Sequence, residues 1–207
     1  MLYKFCFCLL LLAGIHCSAK KENKSRTPGI ITSGTTIPAV EKQVHNKAAE
    51  LLVYAGQNNC ASDIAFLIDM KEPSGAHRFF VYRFKDKKII NRGLVTHGNC
   101  GEAFLGKPRY GNTVGCNCSS LGKYKIGNRY YGRFGMAYKL HGLEKTNSRA
   151  FERYVVLHSH SCVPDEEVSP SPICESNGCP TVSPEFLKTA AAYIDKSKKP
   201  VLLWIYE

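Results

Sequence analysis

The residues best suited to chemistry lie between positions 154 and 182. An apolar run ends at His158, and a turn-like segment ending in Gly178 and Cys179 follows a loop rich in proline and serine. A thiol with the ordinary pKa of about 8.5 is mostly protonated near neutral pH, and a neighbouring imidazole can take its proton. The pattern therefore predicts Cys–His acyl transfer, with Cys179 as the nucleophile, His158 as the base, and an ion pair that favours the thiolate.

The residues around this pair have chemical roles of their own. Gly178 permits a sharp turn immediately before the nucleophile. We expect the N–H groups of Gly178 and Cys179 to face a developing oxyanion. A base also needs a partner on its second ring nitrogen, and a backbone carbonyl at or near Ser159 is the predicted partner of His158.

Two other interpretations of the cluster remain open. In the first, Cys179 is half of a disulfide and His158 is a satisfied structural histidine at a strand end. Alternatively, His158, His160 and Cys162, with Cys174 or Cys179, offer the nitrogen and sulfur ligands that zinc uses. No CxxC-like pair flanks the cluster, and an oxidising compartment would compete for the thiols, so no metal site is predicted.

The elements that must position these residues are mainly strands. Apolar residues three and four apart predict a helix over 37–59, and Ser183-Pro184-Glu185 predicts the start of a second helix that runs to about residue 196. Nine glycines between 98 and 135 indicate tight turns in a loop-rich stretch. Short apolar runs predict strands at 64–68, 79–82, 89–95, 154–157 and 201–206.

The N-terminus and the composition bear on where the protein acts. Residues 1–19 have one lysine, an apolar stretch and small residues before Ala19, as in a secretory signal peptide, and polar residues 20–36 indicate a flexible spacer. We therefore expect export to the periplasm or cell envelope, with membrane anchorage only if Cys17 is lipidated.

The 207 residues, 44% of them hydrophobic, exclude a mainly disordered chain. The net charge of +11, or +10 without Lys4, is compatible with an acidic envelope and gives no indication of nucleic acid.

Cysteine is the unusual residue of this composition. Ten are present, and seven remain after the predicted signal peptide is removed. Besides Cys179, six are disulfide candidates whose connectivity the sequence leaves open, or reduced and buried small hydrophobes: Cys60, Cys100, Cys116, Cys118, Cys162 and Cys174. Cys162 and Cys174 bracket the loop between the base and the nucleophile, so we expect them to pair as a staple over the site. Cys116 and Cys118 are too close to pair easily, so one of them is expected to reach Cys100.

Several motifs, in order, resemble the YkuD-type L,D-transpeptidases, specifically the murein L,D-transpeptidase catalytic domain. Ser176-Asn177-Gly178-Cys179 is similar to the family's S-x-G-C motif, and 17 residues separate His158 from Ser176. The resemblance covers roughly residues 60–207. Further matching stretches are Phe66-Leu67-Ile68-Asp69, Leu94-Val95-Thr96-His97-Gly98, Ser119-Ser120-Leu121-Gly122 and Leu140-His141-Gly142. Asn177, Ser159 and Pro180-Thr181 depart from residues that are common in the family.

The resemblance implies a fold, a reaction and roles for the site residues. The fold is a mixed, mainly β sandwich over 60–207, with an N-terminal and a C-terminal helix. Cys179 would be the nucleophile, His158 the base, Ser159 the residue that orients it, and Ser176 the residue that shapes the turn. The reaction would be acyl transfer on peptidoglycan stem peptides with release of D-Ala, no cofactor and sensitivity to carbapenems.

Alternatives remain for the outcome and for the surrounding cleft. If water takes the thioester, the protein is an L,D-carboxypeptidase. In a different functional class, it is a non-catalytic cell-wall-binding module. His97, His141, His160 and Tyr131 are candidate substrate contacts. The alternative is a structural or surface role for each histidine and a place in the core for Tyr131.

Overall fold

A computed structural model describes residues 38–207 of the chain. The predicted signal peptide at 1–19, the spacer at 20–36 and the first position of the predicted N-terminal helix lie outside the described residues. In the described range, no helix combines the length and the apolar character needed to cross a bilayer. The elements, in chain order, are α1 (Ala39–Gln57), β1 (Ile64–Asp69), β2 (Phe79–Arg83), β3 (Lys88–Gly93), β4 (Gly122–Gly132), β5 (Gly135–Gly142), a 3-10 turn (Lys145–Asn147), β6 (Val156–Ser159), β7 (Thr181–Val182), α2 (Pro184–Lys196) and β8 (Leu202–Tyr206).

Helix α1 packs on the sheet through one face. Val44, Ala48, Leu51 and Ala55 are buried, and their spacing of four, three and four residues places them on one side of the helix. They join a cluster with side chains of β1, β2 and β8, among them Trp204. The first helix therefore contributes a hydrophobic layer to the domain.

The eight strands form one mixed sheet in the order β3-β2-β1-β8-β4-β5-β6-β7. The β1–β8 and β6–β7 pairs are parallel, and the other neighbours are antiparallel. Beyond β3, the Thr96 amide donates to the Thr181 carbonyl at 2.9 Å, so the two ends of the strand order meet. The folded sheet encloses a hydrophobic cluster that includes α2 residues such as Phe186 and Leu187. The prediction of a mainly β, mixed fold with two helices is confirmed.

The glycine-rich stretch differs from the sequence expectation in its second half. Residues 122–142, partly assigned to the loop-rich region, form the long hairpin of β4 and β5. Tyr124 and Ile126 are buried and alternate with lysines, which is the pattern of a strand with one face on the core. Gly135 provides the positive φ, +75°, at the turn of the hairpin.

Helix α2 begins as the sequence predicts. The Ser183 side chain accepts the amide hydrogen of Phe186 at 3.1 Å, and Pro184 occupies the first helical position. This cap fixes where the helix starts, directly after β7. The segment that carries Cys179 is thus held between loop and strand, a few residues before a well-defined helix.

Candidate active site

His158 lies on β6, between β5 and β7. Val155 and Leu157 point into the core cluster, and His158 projects from the opposite face of the strand, where it stacks on Phe134 with ring centroids 4.5 Å apart. The parallel pairing of β6 with β7 places Thr181 beside His158. The imidazole is therefore held by a stacked ring on one side and a hydroxyl on the other.

The hydrogen bonds of His158 determine its neutral tautomer. Nδ1 lies 3.1 Å from the Ser159 carbonyl oxygen, which only accepts, so Nδ1 carries the proton. Nε2 lies 3.0 Å from the Thr181 hydroxyl, which donates to it. Burial lowers the pKa of His158, and the nearby His160 acts in the same direction against the Ser159 hydrogen bond. The predicted contact with the Ser159 carbonyl is present, and Nε2 is the nitrogen that can act as a base.

The turn before Cys179 is tied together by Ser176. Its hydroxyl lies 2.6 Å from the Cys179 carbonyl oxygen, to which it donates, and it accepts the Gly178 amide at 3.1 Å. Gly178 has a φ of +105°, and a Cβ there would lie 2.7 Å from the Cys118 carbonyl oxygen. Glycine is therefore required by both conformation and space. The Gly178 amide was predicted to face an oxyanion but is committed to the turn, whereas the Cys179 amide has no acceptor in residues 38–207.

Cys179 and His158 line one cavity of about 230 Å³. The Cys179 Sγ is 3.8 Å from the Tyr154 carbonyl oxygen, and no hydrogen bond joins it to His158 within the described part of the chain. Burial raises the pKa of the Cys179 thiol, against smaller opposing effects of the Val156 hydrogen bond and the Arg153 charge. Burial thus favours a neutral thiol and a neutral imidazole, whereas the sequence predicted a thiolate–imidazolium ion pair.

The other predicted site residues divide into two groups. Asn177, His160 and Ser176 line the same cavity as Cys179. Tyr131 is exposed on β4, and His141 stacks on Phe151 at a separate cavity.

His97 is buried behind the turn and is not among the residues that line the cavity with Cys179. Its Nδ1 accepts from Arg78 at 3.1 Å, and Arg78 is itself buried and bonded to the Val95 carbonyl. His97 Nε2 lies 3.2 Å from the Glu175 carboxylate, outside hydrogen-bond geometry. Burial, reinforced by Arg78, lowers the pKa of His97 despite that carboxylate. The residue supports the segment that precedes Ser176.

Several residues of the site were missed in the sequence analysis. Thr96 and Phe134 line the cavity, Thr181 bonds to His158, and Arg153 lies next to the turn, with Nη2 3.2 Å from a Cβ built at Gly178. Glu175 accepts the amides of residues 105 and 106, which joins the turn to the glycine-rich loop. Three of these residues had a local signal: Glu175 directly precedes the S-x-G-C motif, Thr181 follows it closely, and Thr96 lies in one of the stretches that match the family. The others reach the site through strand pairing or loop packing.

Two disulfides stabilise loops around the cavity. Cys162 pairs with Cys174, as expected for the loop between His158 and Cys179, and Cys118 pairs with Cys100. The first bond removes both of its thiols from the alternative zinc site.

Cys60 and Cys116, also disulfide candidates, form no disulfide within residues 38–207. Cys60 is buried in the cluster under α1, where it packs as a small hydrophobe, which is the alternative left open for some of these cysteines. Cys118, two residues from Cys116, already holds the available partner at Cys100.

Comparison with known proteins agrees with this fold. Residues 36–206 match the family model described as the L,D-transpeptidase catalytic domain. No curated protein is significantly similar in sequence. Among solved structures, the chain is similar to an L,D-transpeptidase variant from Enterococcus faecium (TM-score 0.43, 10% identity, 70% of this chain and 50% of that one). It is also similar to the helical cell shape determining protein Pgp2 from Campylobacter jejuni (0.42, 16%, 79% and 56%) and to an L,D-transpeptidase from Mycobacterium tuberculosis (0.40, 13%, 70% and 58%). The chain thus spans between half and three fifths of the length of these three structures.

Proposed function

The chain belongs to the L,D-transpeptidase catalytic domain family, and we propose from this that it is an exported cysteine acyltransferase that acts on peptidoglycan stem peptides. The observation that carries the proposal is that one cavity holds Cys179, on a glycine-dependent turn, and His158, whose Nε2 is free of a proton. Family membership supplies the substrate class, and the site supplies the groups for acyl transfer. The reaction needs no metal or organic cofactor.

In the first half-reaction, Cys179 attacks the carbonyl of the third stem residue at its L-centre. The thiol proton passes to His158 Nε2, a C–S bond forms, and the bond to the terminal D-Ala nitrogen breaks. The protonated His158 then gives its proton to the departing D-Ala amine. The products are a thioester on Cys179 and free D-Ala.

The second half-reaction returns the enzyme to its starting state. A side-chain amine of another stem attacks the thioester, and His158 takes the proton that the amine loses. The C–S bond breaks, the Cys179 thiol is protonated again, and a 3→3 cross-link forms. Water in place of the amine gives hydrolysis, the L,D-carboxypeptidase outcome.

The hydrogen bonds of the site support distinct roles for its residues. The Ser159 carbonyl holds His158 with Nε2 toward the cavity, and Thr181 occupies that nitrogen until the thiol presents its proton. Ser176 fixes the turn, and the Cys179 amide is the donor available to a tetrahedral oxyanion. Asn177 and His160, which line the cavity, are assigned to substrate contact in this proposal.

Export is part of the proposal and rests on the N-terminal sequence. Disulfides persist in oxidising compartments such as the bacterial periplasm, and the two disulfides of the domain favour this location. The net charge of the chain suits a polyanionic envelope.

The test is incubation of the full chain with disaccharide tetrapeptides, with the products identified by mass. We expect cross-linked dimers that have lost one D-Ala, or tripeptides if water is the acceptor. Cys179→Ala should abolish both products, and Cys116→Ala, which removes another unpaired thiol, should leave them unchanged. A carbapenem should add its mass to the wild-type chain and not to Cys179→Ala. Intact substrate and no adduct would indicate the wall-binding alternative.

A further inference from the structure

The face of the sheet that carries His158 continues along β5 and β4. Side chains alternate along a strand, and Ala137, Lys139 and His141 of β5 share this outer face because Tyr138 and Leu140 lie in the core. Ala137 is paired with His158, and His141 is paired with Lys125 of β4. Four residues of strand separate these two levels, a distance of about 14 Å.

A strongly basic cavity lies at the far end of this face. It has a volume of about 630 Å³, and no carboxylate is among the residues that line it. Its lining includes four lysines, none of which forms an ion pair within residues 38–207: Lys125, Lys139, Lys198 and Lys199.

Acids near this cavity are already neutralised. Asp195, one residue from the lining Ile194, pairs with Arg129 at 2.7 Å. Glu152, beside the lining Phe151, pairs with Arg149 at 3.0 Å. Unpaired positive charge in a concave site attracts anions.

An aromatic groove adjoins this cavity. Tyr130, Phe151 and Tyr154 line a depression of about 250 Å³ that shares Lys139 and Phe151 with the basic cavity. The carbonyl oxygen of Tyr154, a lining residue of this groove, lies 3.8 Å from Cys179 Sγ. The Lys139 ammonium lies over the Phe151 and Tyr130 rings, 5.3 and 5.8 Å from their centroids. The groove and the basic cavity are therefore contiguous through Lys139 and Phe151, and the groove includes Tyr154, the residue whose backbone carbonyl contacts Cys179.

We propose that the basic cavity is a carboxylate-binding subsite for an acidic stem peptide whose chain lies along the aromatic groove, and this inference rests on the proposed function. Lys139, which lines the cavity, lies two residues along β5 from Ala137, the partner of His158, a distance of about 7 Å. An extended peptide advances about 3.3–3.6 Å per residue, so a carboxylate on the residue before the attacked one can reach Lys139. A γ-linked glutamyl residue leaves its α-carboxylate free, and the lysines provide its counter-charges. The aromatic rings and the Lys139 stem supply apolar contact for the chain between them.

The test measures binding of a stem tripeptide to the full-length protein, since this peptide has no terminal D-Ala to release. We compare Lys125→Gln/Lys139→Gln and Lys198→Gln/Lys199→Gln with a control, Lys87→Gln/Lys88→Gln, which removes the same charge at the β2–β3 turn. Exposed ion pairs of ordinary strength predict about fivefold weaker binding for each cavity variant and no change for the control. Amidation of the peptide's glutamyl carboxylate should weaken binding to wild type and have little further effect in the cavity variants.

The outcomes separate this proposal from the proposed function. Equal affinities in cavity and control variants, or equal affinity for the acidic and amidated peptides, would overturn the subsite. Lysine-dependent binding of poly(glycerol phosphate), without lysine-dependent binding of the tripeptide, would assign the cavity to a wall polyanion and overturn it as well. If the tripeptide binds in a lysine-dependent manner but the protein releases no D-Ala, the subsite proposal stands and the enzyme proposal fails. If the cavity variants release D-Ala with an unchanged KM, the enzyme proposal stands and the subsite proposal fails.

Discussion

The resting state of the nucleophile makes a direct prediction about thiol reactivity. Burial raises the pKa of Cys179 and lowers that of His158, which favours the neutral form of both groups. A thiol whose pKa exceeds the ordinary value of about 8.5 is less than about 1% thiolate at pH 6.5. Alkylation of Cys179 by iodoacetamide should therefore rise about tenfold per pH unit from pH 6 to 8. A preformed ion pair would instead give a plateau across that range.

The assay follows Cys179 by mass after timed alkylation and digestion. Cys116, an unpaired and partly exposed thiol in the same digest, serves as the internal control for the reagent. His158→Gln should leave the pH dependence of the Cys179 alkylation rate unchanged, because no ion pair is lost. The same substitution should abolish turnover. Arg153→Gln should shift the profile to higher pH, since the Arg153 charge lowers the pKa of Cys179, and Arg153→Lys should shift it less. A pH-independent rate between pH 6 and 8, lost in His158→Gln, would refute the neutral-pair reasoning.

Three further predictions concern the turn, the staple and the helix cap. Gly178→Ala, with its Cβ against the Cys118 carbonyl and a φ of +105°, should lower the free energy of unfolding by about 1–3 kcal/mol in urea titrations and reduce D-Ala release; unchanged stability would contradict it. Cys162→Ala/Cys174→Ala opens a loop of sequence separation 12 and should cost about 3 kcal/mol by the same titration, with reduction of the wild type as a check. Ser183→Ala removes the cap of α2 and should cost about 1 kcal/mol, whereas Ser183→Asp should retain most of the stability.

The fold was predictable where a segment's own chemistry decides its conformation. The apolar spacing of α1, the Ser183 cap and the buried strands can be read from neighbouring residues. The β4–β5 hairpin was partly assigned to a loop, because its glycines masked the alternation around Tyr124 and Ile126. Glycine lowers the strand signal without preventing pairing when the hairpin also packs on the core.

The sequence by itself determined the chemical groups of the site and the local backbone conformation around them. A histidine at a strand end and a cysteine after a glycine were recognisable because backbone conformation there depends on adjacent residues. The contact between His158 and the Ser159 carbonyl is of this local kind.

Only the tertiary structure decided which residues distant in sequence contact His158 and Cys179. The β6–β7 pairing brings the Thr181 hydroxyl to His158, and the folded sheet buries His97 against Arg78, although their separation in sequence gives no sign of either contact. The protonation states of Cys179 and His158 also depend on the tertiary structure. Spacing suggested an ion pair at Cys179, and burial, which depends on the packing of the whole domain, favoured neutral partners.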